Sequence, residues 1–455
     1  MSEDKTTKMK RYTVLISAVA ALGGLLFGFD TAVIAGTLQA LKTYFDLGDA
    51  AIGLVVAAAS IGCIPGAFFA GRFADRFGRK NMMLVTALLY IIAALGSGIA
   101  GSFGQLVAYR FVGGIAIGMA STLAPIYISE VAPASFRGRL GMLQQLAIVL
   151  GILISFISNY LIANAGYSFI SPANQWRFML AAALIPSLIF FLLLLLVPES
   201  PRWLILKEKL AQARKVFGRI YNKEAADNEV NVVLTDINKD TRKIKFSEIF
   251  SPRFRKVVLI GIAFAAVAQL TGINIIFYYA PLIFEKTHVG GSPLFQTLLT
   301  GIVNLIFTIV AFGLIDRIGR KKLLLAGSAI MGLCMLIISW LFYTKNLSNY
   351  LVLITIFVYI AGFASTWGVV LWVYVAEIFP NKIRGSATSF AVFGNWVANA
   401  IVSYTFPVML SGLGATTTFL IYGVINISMI FFTARYVFET KGVALEKMEE
   451  LYGSV

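Results

Sequence analysis

The chain is dominated by apolar runs that carry few charges. A run of about 20 residues forms a helix long enough to cross about 30 Å of hydrocarbon, where every backbone polar group needs an internal partner. Continuous runs such as 185–197 also differ from the ten-residue alternation of a membrane β-barrel. We therefore predict helical spans at 12–36, 51–70, 82–101, 105–126, 142–163, 178–197, 256–284, 295–315, 323–343, 349–376, 386–409 and 415–437.

Composition agrees with this membrane class. Hydrophobic residues make up 58% of the 455-residue chain and charged residues 13%, against about 45–50% and about 25% in soluble domains. This balance excludes a soluble enzyme built around one large core.

The net charge of +16 reflects topology. Of the 38 Lys and Arg residues, 33 lie in segments that share a side with the N-terminus, and Lys42, Arg177, Lys286 and Lys345 lie opposite. The remaining one, Arg110, lies within a span. The positive-inside rule then predicts a multi-pass protein of the cytoplasmic membrane with both termini in the cytoplasm. Nucleic-acid binding is not expected.

An internal repeat divides the chain into two halves. The loop 75–80, Asp-Arg-Phe-Gly-Arg-Lys, recurs at 316–321 as Asp-Arg-Ile-Gly-Arg-Lys. The charged residues that match between the halves, at offsets of 240 to 247, are Asp75 and Asp316, Arg79 and Arg320, Glu130 and Glu377, Arg137 and Arg384, and Glu199 and Glu439.

This repeat predicts an all-α integral membrane protein of twelve transmembrane helices in two pseudo-symmetric six-helix bundles, with short cytoplasmic helices between them. Such a plan suits a carrier that rocks one bundle against the other. The expected units are an N-terminal bundle 1–197, a cytoplasmic linker 198–255, a C-terminal bundle 256–437 and a cytoplasmic tail 438–455.

The matched charges lie at the predicted cytoplasmic ends of the helices. We interpret them as a salt-bridge latch that forms when the cytoplasmic side is closed and therefore favours the outward-facing state. Exposed pairs contribute about 0–1 kcal/mol each, so several together bias a two-state equilibrium without locking it. The alternative is that these charges only anchor helix ends at the lipid headgroups.

Several of these segments also resemble a known family. The first loop is similar to the signature loop of the major facilitator superfamily, and the resemblance to its sugar porter family extends from Gly23 to Gly442. The motifs that carry it are 71–80 (GRFADRFGRK), 110–114 (RFVGG), 198–203 (PESPRW), 269–274 (QLTGIN) and 377–385 (EIFPNKIRG).

Asp30 and Arg110 are ionisable residues inside apolar spans, where charges are costly and usually functional. The resemblance implies that they face each other, and that symporters carry the acid where many facilitative carriers have a neutral residue. A carboxylate that gains and loses an arginine as the protein rocks changes its affinity for protons. The alternative is a static ion pair.

A sugar site needs amides, which donate and accept hydrogen bonds, and aromatic faces that cover the ring. Gln269 and Asn274 flank Gly272, where we expect an unwound turn, and Tyr278 and Tyr279 then form an outer gate before Pro281. The resemblance implies further cavity positions at Phe27 and Gly368. The remaining candidates are Gln145, Asn304, Trp372, Asn395, Trp396 and Asn399.

Two positions depart from the family pattern. Ala268 stands where a glutamine is usual, so one sugar hydrogen bond is missing or replaced, and Phe438 stands where a proline is usual. For the amides Gln145, Gln269 and Asn274, the alternative to sugar binding is interhelical hydrogen bonding.

These residues predict a secondary monosaccharide transporter that works by alternating access as a sugar:H⁺ symporter, as a monomer, without metal or cofactor. The substrates are a hexose or pentose and a proton. A facilitative uniporter is the first alternative. A sugar sensor would normally carry a longer tail than the 18 residues after the last span, and an enzyme lacks a nucleophile, base or metal group. His288, the single histidine, is expected to be a surface residue.

Overall fold

The computed structural model is helical throughout the part of the chain that it describes, and that part contains no β-strand. The backbone is described for residues 3–133, 136–165, 171–221, 223–239, 249–286, 291–347, 350–380 and 383–441. Within these ranges the side chains of 3–10, 137–139, 223–224 and 236–239 are not described.

The N-terminal half contributes six spans, of which the first ends in a 3₁₀ turn at Ile34–Gly36 and the sixth is broken into two helices. Its helices are α1 (Glu3–Val33), α2 (Leu38–Tyr44), α3 (Asp49–Phe77), α4 (Arg79–Ile99), α5 (Phe103–Val131), α6 (Arg137–Asn164), α7 (Gln175–Ala181) and α8 (Leu184–Leu196).

The C-terminal half repeats this plan with breaks in its first and fourth spans. Its helices are α12 (Pro252–Leu270), α13 (Ile273–Glu285), α14 (Pro293–Ile318), α15 (Arg320–Tyr343), α16 (Leu351–Ser365), α17 (Trp367–Ile378), α18 (Arg384–Gly412) and α19 (Gly414–Tyr436).

Eleven segments of the described chain are long and apolar enough to cross a membrane. The twelfth span is α18, whose 29 residues include the polar Asn395, Asn399 and Ser403. These polar residues lower the mean hydropathy of α18, and their side chains are buried inside the protein instead of facing lipid. The predicted twelve-helix, two-bundle architecture is confirmed.

Several helices are longer than the predicted spans. The second span was expected to end at residue 70, whereas α3 continues to Phe77, and α5 continues past residue 126 to Val131. Hydropathy detects only the part that lies in hydrocarbon, while the backbone hydrogen bonding continues into the polar region. The extra turns carry charged residues of the repeated motifs to the ends of the helices.

Three short helices, α9 (Pro201–Leu206), α10 (Leu210–Ile220) and α11 (Lys223–Lys239), connect the halves. Ser200 caps α9 by accepting a hydrogen bond from the Trp203 amide, and Pro201 occupies the first helical position. In α10, Val216 and Phe217 are buried on one face. Short amphipathic helices in this segment were predicted, and the structure contains them.

The loops define two faces of the molecule. We call the face that holds Gly78 and Gly319 the terminal face, and the face that holds Leu47 and Leu413 the opposite face. Toward the opposite face the two halves are packed together. The rings of Tyr160 and Phe295 lie 5.7 Å apart, and those of Phe156 and Phe277 6.4 Å apart.

Candidate functional site

A central cavity of about 100 Å³ lies between the two halves. All ten residues predicted to bind substrate line it, although they are contributed by seven different helices. They are Phe27, Gln145, Gln269, Asn274, Asn304, Gly368, Trp372, Asn395, Trp396 and Asn399.

Three of the amides form a hydrogen-bonded chain along the cavity wall. The Gln269 Nε2 donates to Asn395 Oδ1 at 2.8 Å, and the Asn274 Nδ2 donates to Gln269 Oε1. This chain joins α12, α13 and α18 within the C-terminal half. Amides arranged in this way can exchange one partner for a sugar hydroxyl, because each retains both donor and acceptor groups.

The break between α12 and α13 places Gln269 and Asn274 on the cavity wall. Gly272 has a left-handed backbone with φ of 92°, and the helix restarts at Ile273. The Thr271 carbonyl freed by the break accepts hydrogen bonds from the Tyr359 hydroxyl at 2.8 Å and from Asn426 Nδ2 at 2.9 Å. The predicted unwound turn is therefore confirmed, and its backbone oxygen is satisfied.

Two aromatic rings from opposite halves meet at the cavity. The Phe27 and Trp396 ring centroids lie 5.5 Å apart. The Trp396 Nε1 is buried and has no hydrogen-bond acceptor among the described residues. A buried indole N–H beside a cavity is a donor available to a ligand oxygen.

The side chains of the two tyrosines predicted as a gate point in different directions from α13 and line different cavities. Tyr278 lines the central cavity, whereas Tyr279 lines a second cavity toward the opposite face. The Tyr279 hydroxyl donates to the Ser403 carbonyl at 2.8 Å. Both side chains are buried.

Asn399 has partners inside the protein. Its Oδ1 accepts from the Ser60 hydroxyl of the other half at 3.2 Å and from Ser403 at 2.9 Å. These hydrogen bonds brace α3 against α18 at the edge of the cavity.

Sequence reasoning missed two hydroxyl groups in the cavity lining, Thr31 and Thr308. Thr308 lies four residues after Asn304 on α14, so the two share one helix face. Thr31 directly follows Asp30. These spacings could have identified the two threonines from the sequence. The apolar part of the lining is Ile148, Val149, Ile152, Ile273, Phe277, Phe363, Ala364 and Leu371.

Asp30 and Arg110 form a buried ion pair close to this cavity. Arg110 Nη1 lies 3.0 Å from Asp30 Oδ2 and 3.0 Å from the Asp30 carbonyl oxygen. The exposed fractions of the two residues are 8% and 2%. Removing one partner of such a pair leaves a buried charge uncompensated.

On the terminal face of the N-terminal half, Arg79 is the centre of a charge network. Its Nε and Nη2 bind both oxygens of Glu130 at 3.0 and 3.1 Å, and Nη2 also lies 2.9 Å from Asp75. Glu199 accepts from the backbone N–H groups of Arg79 and Lys80 at 2.9 and 3.1 Å. Burial raises the pKa of Glu199, and its backbone hydrogen bonds partly oppose this rise.

The C-terminal half repeats the arrangement. Arg320 binds Glu377 at 2.9 Å and Asp316 at 3.3 Å, and Glu439 accepts from the backbone N–H groups of Arg320 and Lys321 at 2.9 and 3.1 Å. Each of these contacts lies within one half.

The last pair of the predicted latch is only partly described. Arg384 donates from Nε to the Phe379 carbonyl at 3.2 Å. The side chain of Arg137 lies outside the described residues, as does His288. Within the described ranges, no three His, Cys, Asp or Glu residues are grouped as a metal site.

Comparison with known proteins places this architecture in a family. Residues 16–452 match the model of the family described as "Sugar (and other) transporter". The chain is 38% identical to the arabinose-proton symporter of Bacillus subtilis (strain 168) over 97% of this chain and 95% of the relative. It is 39% identical to the glucose transport protein of Synechocystis sp., over 98% and 99% of the two chains.

The fold is similar to a solved structure of the xylose transporter XylE from E. coli in a partially occluded inward-open conformation. The TM-score is 0.86 at 36% identity, over 95% of this chain and all of the other. Three findings indicate the same family. They are a family model that matches nearly the whole chain, relatives above one-third identity and a solved structure with the same fold. The chain is a multi-pass membrane protein that belongs to the sugar transporter family.

Proposed function

We propose that this protein carries a monosaccharide across the cytoplasmic membrane by alternating access, together with a proton. The observation that carries the proposal is the cavity between the halves, lined by amides and indoles beside a buried Asp30–Arg110 pair. The names of two similar proteins, an arabinose-proton symporter and a xylose transporter, support the same class of substrate. The protein is a carrier and not an enzyme.

The lining favours a neutral substrate. None of the described residues that line the central cavity is charged, and its polar groups are amides, hydroxyls and indole N–H groups. Gln145, Gln269, Asn274 and Asn395 bind the sugar hydroxyls. Asn304, Trp372 and Trp396 complete the polar and aromatic wall, while Phe27 and Gly368 shape it.

Asp30 is the proton site, and Arg110 controls its affinity for the proton. In this structure the arginine lies 3.0 Å from the carboxylate and forms an ion pair with it. When the halves rock and the arginine withdraws, the low-dielectric surroundings favour protonation. Cotransport of one proton with each sugar adds about 2.3 kcal/mol of driving force per 100 mV of membrane potential.

The terminal face lies in the cytoplasm under this proposal, as the distribution of Lys and Arg favours. The bundles 1–197 and 256–437 then move as rigid bodies connected by the linker 198–255, and 438–455 forms the cytoplasmic tail. Tyr278 and Tyr279 close the path to the opposite face. The described contacts of the charge networks around Arg79 and Arg320 each lie within one half. We expect these networks, together with Arg137 and Arg384, to favour the outward-facing state by holding the cytoplasmic helix ends in the arrangement that lets the halves close there.

The deciding experiment uses proteoliposomes with an imposed inward proton gradient. Wild-type protein should accumulate radiolabelled sugar, and Asp30→Asn, which mimics the protonated carboxyl, should abolish accumulation while sparing exchange between two sugar-loaded sides. Asp46→Asn is the matched control, because Asp46 is exposed and its φ of 52° is one that asparagine also adopts. If wild type only equilibrates the sugar, the protein is a uniporter.

A second variant tests the binding site. Gln269→Ala removes one hydrogen-bonding side chain and leaves Asn274 and Asn395 without their shared partner. The loss of about 0.5–1.5 kcal/mol per hydrogen bond predicts sugar affinity lower by several-fold or more. Unchanged sugar affinity in the purified, folded variant would remove Gln269 from the site.

A further inference from the structure

A second cavity of about 350 Å³ lies toward the opposite face, and both halves contribute to it. Its volume falls in the range of about 300–1,000 Å³ that is typical of small-molecule sites. Six of its lining residues are polar or charged, namely Gln39, Lys42, Asp49, Glu285, Lys286 and Ser411.

An aromatic pair separates this outer cavity from the central one. Tyr279 and Phe406 line the outer cavity, and their ring centroids are 5.1 Å apart. The neighbouring Tyr278 lines the central cavity instead. The two cavities therefore lie one behind the other between the halves, with buried tyrosines between them.

The charges of the outer cavity balance. Two ammonium groups, on Lys42 and Lys286, accompany two carboxylates, on Asp49 and Glu285. Lys42 Nζ lies 3.0 Å from Asp49 Oδ1, and Asp49 also interacts with Ser411 and Lys286 of the other half. A site with no net charge offers no electrostatic gain to an ion, whereas its donors and acceptors suit a neutral ligand with many hydroxyls.

We propose that the outer cavity is a second binding site for a monosaccharide. This inference rests on the proposed function, because it takes the transported sugar as the ligand. Gln39 and Glu285 provide hydrogen bonds, and the half-buried Leu282 and Leu410 provide an apolar surface for the ring.

Occupancy of this site has a functional consequence. Because Gln39 and Asp49 belong to one half and Glu285 and Ser411 to the other, a sugar held between them binds best when the opposite face is closed. By differential affinity it stabilises that conformation and slows reopening. Uptake from the opposite face should therefore decline at high sugar concentration.

The test combines binding and uptake in the full-length protein. The binding isotherm of the purified protein for the radiolabelled transported sugar should show two phases. Gln39→Ala should weaken the lower-affinity phase about two- to ten-fold, as expected for one lost hydrogen bond. Glu285→Ala should weaken it at least as much, with partial retention in Glu285→Gln. These variants should also relieve the decline in uptake at high sugar. Both side chains are exposed, so the fold tolerates the changes.

Gln269→Ala is the matched variant for the central cavity and should weaken only the higher-affinity phase. A single binding phase in wild type, or a lower-affinity phase that Gln39→Ala and Glu285→Ala leave unchanged, would overturn the second site. Absence of any sugar binding or uptake by wild type would instead contradict the proposed function.

Discussion

The charge networks of the two halves share one design but differ in how completely their arginines are bound. In each half a glutamate accepts the backbone N–H groups at the start of a helix, at Arg79 and Lys80 or at Arg320 and Lys321. Each arginine also donates to a carbonyl at the end of the preceding helix, at Ala74 or at Ile315.

The differences concern the carboxylate partner. Arg79 binds both oxygens of Glu130, whose side chain is 9% exposed. Arg320 binds one oxygen of Glu377, whose side chain is 26% exposed, and Thr440 donates its hydroxyl to the other oxygen. The two-bond geometry and the deeper burial make the N-terminal pair the stronger constraint.

A duplicated sequence motif has thus produced one tight and one looser network. Ser200, which matches Thr440 in sequence, is used differently, because its oxygen caps α9. The Thr440 hydroxyl therefore belongs to the C-terminal network, whereas the matching Ser200 hydroxyl caps the first linker helix and takes no part in the N-terminal network. We expect the C-terminal network to change its contacts more readily when the halves rock.

The largest expected difference comes from removing each arginine. Arg79→Ala leaves the buried Glu130 without its partner, which costs about 3–5 kcal/mol for a buried pair. Arg320→Ala should cost clearly less, because Glu377 is more exposed and keeps Thr440. Thermal unfolding in detergent would measure both.

Arg72→Ala, at an exposed position near the end of α3, is the control and should leave the unfolding midpoint unchanged. Equal losses of stability for Arg79→Ala and Arg320→Ala would show that the two networks do not differ in strength.

The sequence predicted these networks because charge and spacing were visible in both halves. It also predicted the bundles and every amide around the cavity. It could not show that Gln269 pairs with Asn395, 126 residues away, since such a bond depends on how α12 packs against α18. The separation of Tyr278 from Tyr279 follows from the helix itself, in which adjacent side chains point about 100° apart.

Replacing the glycines that precede the two arginines, Gly78 and Gly319, should give the next largest loss of stability. Gly78 and Gly319 have φ of 102° and 95°, a backbone that L-residues rarely adopt. A Cβ on Gly78 would meet Glu199 Oε2 at 2.2 Å, and one on Gly319 would meet Glu439 Oε2 at 2.6 Å. Strain of about 1–3 kcal/mol predicts a lower unfolding midpoint for both alanine variants, and a larger loss for Gly78→Ala. A midpoint that falls more for Gly319→Ala would contradict the ranking.

The smallest effect separates the two matched hydroxyls. Thr440→Val removes the donor to Glu377, a loss of about 0.5–1.5 kcal/mol, and so weakens the C-terminal network while Arg320 still holds the other oxygen. Ser200→Ala costs a comparable amount, about 1 kcal/mol, but only at the start of α9. The two variants should therefore have similar stability and different function. If the networks favour the outward-facing state, Thr440→Val should increase the labelling of a cysteine introduced on the terminal face, and Ser200→Ala should not. Equal labelling in both variants would mean that the hydroxyl on Glu377 has no part in the conformational balance.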